Sequence, residues 1–230
     1  GLYYGVINSD TNHYCNGKIA LGDRLYHCWK NNGHGLMNVD SSIKESCDVF
    51  FYEISKKIGI DRIAKVAQDF GLGKIYNIPL SNQKLGIIPS KKWKKQKLGE
   101  SWYPGETLIS AIGQGFVLAN PLQLANMTAI IASDGNIVEP KIINDNKKSD
   151  FENLKKYSEA IKIVKKSMFK VVNENKGTAF KSKSEEVVFA GKTGTSQVRR
   201  ITVAERESED FRKKEVEWNK RDHALFVGYM

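Results

Sequence analysis

Apolar residues at positions 43, 47, 50, 51, 54 and 58 fall at helical spacing in the stretch "SIKESCDVFFYEISKKI", which predicts one amphipathic helix over 42–58. Ser42 and Glu45 form a Ser-x-x-Glu capping pair at its start. A second helix is expected from Asp61, acting as its cap, through Phe70, with Gly71 as the stop. Residues 71–106 carry scattered Pro, Gly and Asn and read as irregular. Asn120-Pro121 sets a cap before a proline at the first helical position. The "LQLANMTAIIAS" that follows predicts an apolar helix, central and buried, ending at the turn "SDGN" (133–136). Ser158 is read as the cap of a helix carrying Ile161, Val164, Met168, Val171 and Val172.

The pattern then changes period. "VVFAGKTGTSQV" (187–198) and "DHALFVGYM" (222–230) read as strands. A highly charged connection, 199–221, separates them, with helical character around "SEDFRKKEVEWNK". Two strands either side of a long excursion are expected to be neighbours in an antiparallel sheet. A helical cluster followed by strands is the α+β class, a helical cluster packed on an antiparallel sheet, rather than alternating α/β. No internal repeat or low-complexity segment interrupts it.

Composition adds limits. With 230 residues and 40% hydrophobic content the chain can bury the core of one large domain. No stretch of about 18 uninterrupted apolar residues exists. The most apolar region, 107–132, is broken by Gln114, Asn120, Pro121, Gln123 and Asn126. No signal-peptide pattern opens the chain. The start on "GLYYGVI" and the end on a strand lead to the expectation of a domain truncated at both ends. Lys and Arg number 36 against 26 acidic residues, for a net charge of +10. The basic residues are dispersed, and the densest run, "SKKWKKQK" (90–97), reads as loop. Without a nucleic-acid-binding motif this is a solvated lysine-rich surface, and no nucleic-acid partner is expected.

The chemistry sits in Lys192-Thr193-Gly194-Thr195. A lone Lys-Thr-Gly is weak, because any strand ending in a tight turn can carry it. Here an apolar strand precedes it, a second threonine follows, and Ser46-Cys47-Asp48 supplies a Ser-x-Asp triad far upstream. Ser-x-x-Lys, Ser-Asp-Asn and Lys-Thr-Gly form the motif set of penicillin-binding proteins and class A β-lactamases. The stretch from "NNGHGLMNVDSSIKESCDVFFYEISKK" onward, "ESWYPGETLISAIGQGFVLANPLQLANMTAIIASDGNIVEPKII" and "FAGKTGTSQV" together resemble the penicillin-binding protein 2 family of elongation-type transpeptidases, in order and over nearly the whole chain.

That resemblance implies a penicillin-binding transpeptidase or serine β-lactamase-like fold across 1–230. It also implies a peptidoglycan D,D-transpeptidase working through an acyl-serine intermediate and acylated by β-lactams. The implied partners are stem peptides ending in D-Ala-D-Ala and the cell-elongation machinery. The implied location is the periplasmic face of the bacterial inner membrane. Ser46 is then the proton relay to the leaving amine, with Asp48 as its companion in place of the family's Asn. Lys192 supplies positive potential, Thr193 and Thr195 bind the terminal carboxylate, and Gly194 permits close approach. The strand edge pairs with the extended substrate and supplies an oxyanion-hole N–H. Gln114 and the glycines beside it are weaker candidates, and Trp102 and Tyr103 read as packing aromatics. The nucleophile and its lysine are expected upstream of Gly1. The two internal Ser-x-x-Lys matches, Ser41 to Lys44 and Ser167 to Lys170, are read as decoys, so the fragment alone is expected to be inactive. A D,D-carboxypeptidase or β-lactamase-like hydrolase and a non-catalytic fragment stay open as alternatives.

Cys15, Cys28, His34 and Cys47 follow the pattern Cys-x12-Cys-x5-His-x12-Cys. One reading is a Cys15–Cys28 disulfide with Cys47 left buried. The other is a structural zinc site of three thiolates and one imidazole, in a binding segment spanning 13–48. All four lie within 33 residues and His34 is flanked by glycines, and some relatives carry a metal site in this segment, which favours zinc. His13 and His27 rank below His34 as ligands.

Overall fold

In a computed structural model of the protein, residues 1–143, 152–198 and 217–230 are described. The chain opens with two antiparallel ribbons. Strand β1 (His13–Cys15) pairs with β4 (Gly35–Met37), and β2 (Lys18–Leu21) pairs with β3 (Arg24–His27). Helices α1 (Val39–Glu45), α2 (Asp48–Ile58) and α3 (Ile60–Asp69) follow, then α4 (Lys91–Leu98), α5 (Pro104–Ala111), α6 (Pro121–Ala132) and α7 (Ser158–Asn173). Strands β5 (Ala190–Ser196) and β6 (His223–Tyr229) close the fold as an antiparallel pair with Lys192 opposite Val227. The expected α+β class and the pairing of the two late strands are both observed. The helical character expected around 208–220 falls largely outside the described residues.

The single helix expected over 42–58 is two helices. Asn38, not Ser42, caps the first. Asn38 Oδ1 accepts from the Ser41 amide at 2.9 Å and Ser41 Oγ accepts from the Asn38 amide at 3.0 Å. Ser42 lies inside α1, fully buried, and the helix breaks at Ser46, whose φ of 55° and ψ of 51° are left-handed. The apolar spacing runs through the break because Cys47, Phe50 and Ile54 all turn into one core with Val39, Val49 and Leu108. Periodicity reports which side chains are buried and is silent on a one-residue kink.

Two further expectations change. The basic run 90–97 is not a loop. Ser90 caps α4 by accepting from the Trp93 amide at 3.0 Å, and Lys94 turns inward to Glu106 and Glu100. Asp61 is not a cap: α3 begins after Gly59, and Asp61 Oδ1 accepts from the Lys91 amide at 3.0 Å, joining α3 to α4. Likewise Ser158 is the first residue of α7 and makes no side-chain cap bond.

Helix α6 begins at the Asn120-Pro121 cap as expected, but much of its buried face is polar. Gln123 is fully buried, and its Nε2 donates to the carbonyls of Lys74 at 2.7 Å and Leu85 at 2.9 Å. A loop carried over the core must have its carbonyls satisfied from within. Gln123→Leu leaves two of them without a donor. Each costs about 1–3 kcal/mol, so a lowered urea midpoint is expected, with loss of order in residues 74–87 by hydrogen exchange.

Candidate active site

The break at Ser46 points that side chain across to β5. Lys192 Nζ lies 2.5 Å from Ser46 Oγ and 3.0 Å from the Thr193 carbonyl. Burial drives the Lys192 ammonium down to about 8, with the nearby Asp48 acting against it. Asp48 Oδ2 accepts from the Trp29 amide at 2.8 Å. Burial, then the Cys28 thiolate, push the Asp48 carboxyl up to about 7, against the Trp29 amide and Lys192. The result is a hydroxyl held by an amine that sheds its proton readily, which is suited to passing a proton.

Residues on β5 are tied in from other elements. Thr193 Oγ1 meets Thr178 Oγ1 at 2.6 Å, and the Thr178 amide donates to the Lys44 carbonyl at 3.2 Å. Thr195 is exposed, and its carbonyl accepts from Gln114 Nε2. A Cβ added at Gly194 would meet only Leu225, at 3.6 Å, so internal packing does not demand glycine there. β6 covers one edge of β5 and no other strand among the described residues pairs with the opposite edge.

Beside this cleft, Cys15 Sγ, Cys28 Sγ, Cys47 Sγ and a His34 ring nitrogen converge within 4.8 Å of one another. All three cysteines are buried and free. His34 Nδ1 lies 3.6 Å from Cys15 Sγ and 3.5 Å from Cys28 Sγ. Bonds of ~2.3 Å to sulfur and ~2.0 Å to nitrogen in a tetrahedron give an S···N edge of about 3.5 Å, which both His34 contacts match, so this donor set suits a metal. The Cys47 thiol and the backbone amides of Lys30, Asp48 and Val49 hold the Cys28 thiol well below its usual range. The same contact, then burial, push the Cys47 thiol up. Close approach of the loops requires glycine at two positions: a Cβ on Gly17 would lie 2.0 Å from the Asn31 carbonyl oxygen, and one on Gly33 would lie 2.1 Å from that of Cys15. His13 packs on the ring of Phe50, and neither it nor His27 belongs to the four-residue group.

The profile of the penicillin binding protein transpeptidase domain matches residues 1–230. The chain belongs to that family. It is 32% identical over 241 residues to the peptidoglycan D,D-transpeptidase MrdA of Acinetobacter baumannii, covering 100% of this chain and 35% of that protein. Against MrdA of Escherichia coli K12 the identity is 30%, with coverage of 99% and 37%. This transpeptidase domain therefore spans little more than a third of those relatives. It is similar in structure to penicillin-binding protein 2 of Helicobacter pylori in complex with MreC, with a TM-score of 0.85, 29% identity, and coverage of 100% of this chain and 42% of that one. Penicillin-binding protein 2 of Pseudomonas aeruginosa in complex with WCK 5153 gives 0.80, 32%, 99% and 49%.

Within this transpeptidase domain the structure brings Ser46, Asp48 and Lys192 together, and separately gathers the four cysteine and histidine donors. Thr193 and Thr195 stand on the same strand as Lys192. Of the two Ser-x-x-Lys matches, Ser41 is engaged in the α1 cap, while Ser167 is fully buried, donating to Asp40 at 2.8 Å, with Lys170 paired to the same carboxylate. Sequence reasoning missed Thr178 and Trp29, whose roles depend on contacts 15 and 19 residues away.

Lys192 also makes stability depend on pH. The unfolded chain holds that proton up to about 10.4, and the fold releases it near 8. Between those values the unfolded state binds more protons, so this residue's contribution becomes more favourable as pH rises. The stability of wild type relative to Lys192→Met is expected to increase between about pH 8 and pH 10, read by paired thermal melts.

Proposed function

We propose that this domain is part of a peptidoglycan D,D-transpeptidase that cross-links stem peptides and is acylated by β-lactams. The observation that carries the reading is the 2.5 Å contact between Lys192 Nζ on β5 and Ser46 Oγ at the α1–α2 break. The acylated serine is neither Ser41, engaged in the α1 cap, nor Ser167, buried against Asp40. The serine oxygen attacks the carbonyl of the penultimate D-Ala, the C–N bond to the terminal D-Ala breaks, and Ser46 passes a proton to the departing amine. An amine from a second stem peptide then attacks the ester and returns a proton along the same route. Thr193 and Thr195 bind the terminal carboxylate with Lys192 beside it, and Gly194 leaves the strand open to substrate. The Thr195 amide, on the edge that does not pair with β6, supports the oxyanion.

Cys15, Cys28, His34 and Cys47, within the segment 13–48, hold a structural zinc, which the fit of the donors supports. The ion's part is to fix the loops. Through Cys47 it holds the turn that presents Ser46. The working location is the periplasmic face of the inner membrane, among the elongation machinery, in keeping with the complex of the Helicobacter pylori relative with MreC. No helix among the described residues is long and apolar enough to cross a membrane.

Incubating the full-length protein with a fluorescent penicillin is expected to give a stable adduct on a serine other than Ser41 and Ser167. Ser46→Ala and Lys192→Ala should each slow labelling by about 10²-fold or more. An adduct on Ser41 or Ser167 overturns the assignment, and rapid turnover of the penicillin favours a β-lactamase. Protein purified without chelator should contain about one zinc per chain and lose it, with a lowered melting temperature, in Cys47→Ser. Zinc-free protein with a Cys15–Cys28 bridge refutes the metal assignment.

A further inference from the structure

The free edge of β5, where an extended peptide would pair, already has an occupant. Gln114 Nε2 donates to the Thr195 carbonyl at 2.6 Å, and Gln114 Oε1 accepts from the Gln197 amide at 3.3 Å. These backbone groups lie two residues apart, so both point to the same side of an extended chain. The primary amide, whose N–H and C=O can face the same way, fills one donor site and one acceptor site that a paired strand would otherwise take. Gln114 is 81 residues from Thr195 in sequence and reaches it from the turn after α5. That turn is built for the purpose. Gly113 and Gly115 on either side have φ of 75° and 72°, left-handed at both positions, while the Gln114 amide is anchored on the Ile109 carbonyl at 3.1 Å. A Cβ at Gly113 would meet nothing within 4 Å, so glycine is required there for backbone conformation rather than space. Thr195 and Gln197 are exposed, so the contact can exchange with solvent or ligand without opening the core.

We propose that Gln114 is an internal stand-in for the substrate peptide, and that its side-chain amide must leave the β5 edge before an extended ligand can pair there. The proposal rests on the transpeptidase reading of the cleft and adds a determinant of selectivity to it. A ligand carrying its own amide replaces the bond to the Thr195 carbonyl with its own N–H. A ligand without an amide at that position must either leave Gln114 in place or displace it without compensation. Gln114 therefore screens ligands by whether they bring a peptide group, and lowers the rate even for those that do.

The test is the second-order acylation rate of the full-length protein with two β-lactams, a penicillin bearing an acylamino side chain and a carbapenem bearing hydroxyethyl instead. Gln114→Ala is expected to raise the penicillin rate about 3- to 10-fold, the range set by losing one competing pair of exposed hydrogen bonds. The ratio of penicillin to carbapenem rates should rise with it. Gln114→Glu, which cannot donate to the Thr195 carbonyl, should move the same way. Hydrogen exchange at the Gln197 amide should quicken in the alanine variant, a readout that needs no acylation. Wild type that reacts with neither compound refutes the transpeptidase reading and this proposal with it. Wild type that reacts, with variants that acylate at an equal or lower rate with penicillin, overturns the proposal alone and makes Gln114 a brace for β5.

Discussion

The break between α1 and α2 is the constraint on which the rest of the site depends. Ser46 holds a left-handed backbone without being glycine, a conformation that costs about 1–3 kcal/mol and persists only where its surroundings impose it. The surroundings here are identifiable. Cys47 is fully buried among Cys15, Cys28 and His34, and its amide closes onto the Ser42 carbonyl at 3.0 Å. Trp29 reaches both sides of the break, donating from its indole to the Glu45 carbonyl at 3.1 Å and from its backbone to Asp48. With Cys47 drawn inward, the preceding side chain is left facing the strand that carries Lys192.

The opposite wall is positioned by helix packing. α7 lies against α1 on one side and β5 on the other. Ser167 and Lys170 on α7 both meet Asp40 on α1, so this polar contact sets where α7 sits relative to the α1–α2 break. The Asp40 carboxyl is held below its usual range by Lys170 and Ser167, despite burial acting the other way. A buried hydroxyl and a half-buried carboxylate that satisfy each other specify register where apolar packing alone would allow sliding. The same logic recurs at Gln123 under the 74–87 loop and at Lys94, whose amine is enclosed by Glu106, Glu100 and the ring of Tyr103.

Much of this was legible along the chain, and what was missed has common causes. The caps at Asn120 and the turn at 133–136 depend on neighbours a few residues away, and they were read correctly. So were β5 and β6, where an apolar run and the Lys-Thr-Gly motif coincide. The run 90–97 was misread because its lysines look solvated, yet Ser90 caps them into a helix and Lys94 is neutralised by carboxylates six and twelve residues further on. The helix expected from 42 was misplaced because Ser42-x-x-Glu45 and Asn38-x-x-Ser41 both satisfy capping chemistry. Burial of Ser42 decides between them only in three dimensions.

The sequence by itself determined the residue types of the site: a Ser-x-Asp triad, a Lys-Thr-Gly-Thr strand and three cysteines with a histidine at usable spacing. Those are local in the chain, and local spacing reports which chemistry is available. Tertiary structure decided which of them meet. Ser46 and Lys192 are 146 residues apart and in contact at 2.5 Å. Cys15 reaches His34 only because two glycines let their loops approach backbone to backbone. Gln114, one polar residue among many in the sequence, is singled out by lying along an open strand edge. Contacts of that kind arise from packing of elements formed elsewhere, and no pattern within a single element encodes them.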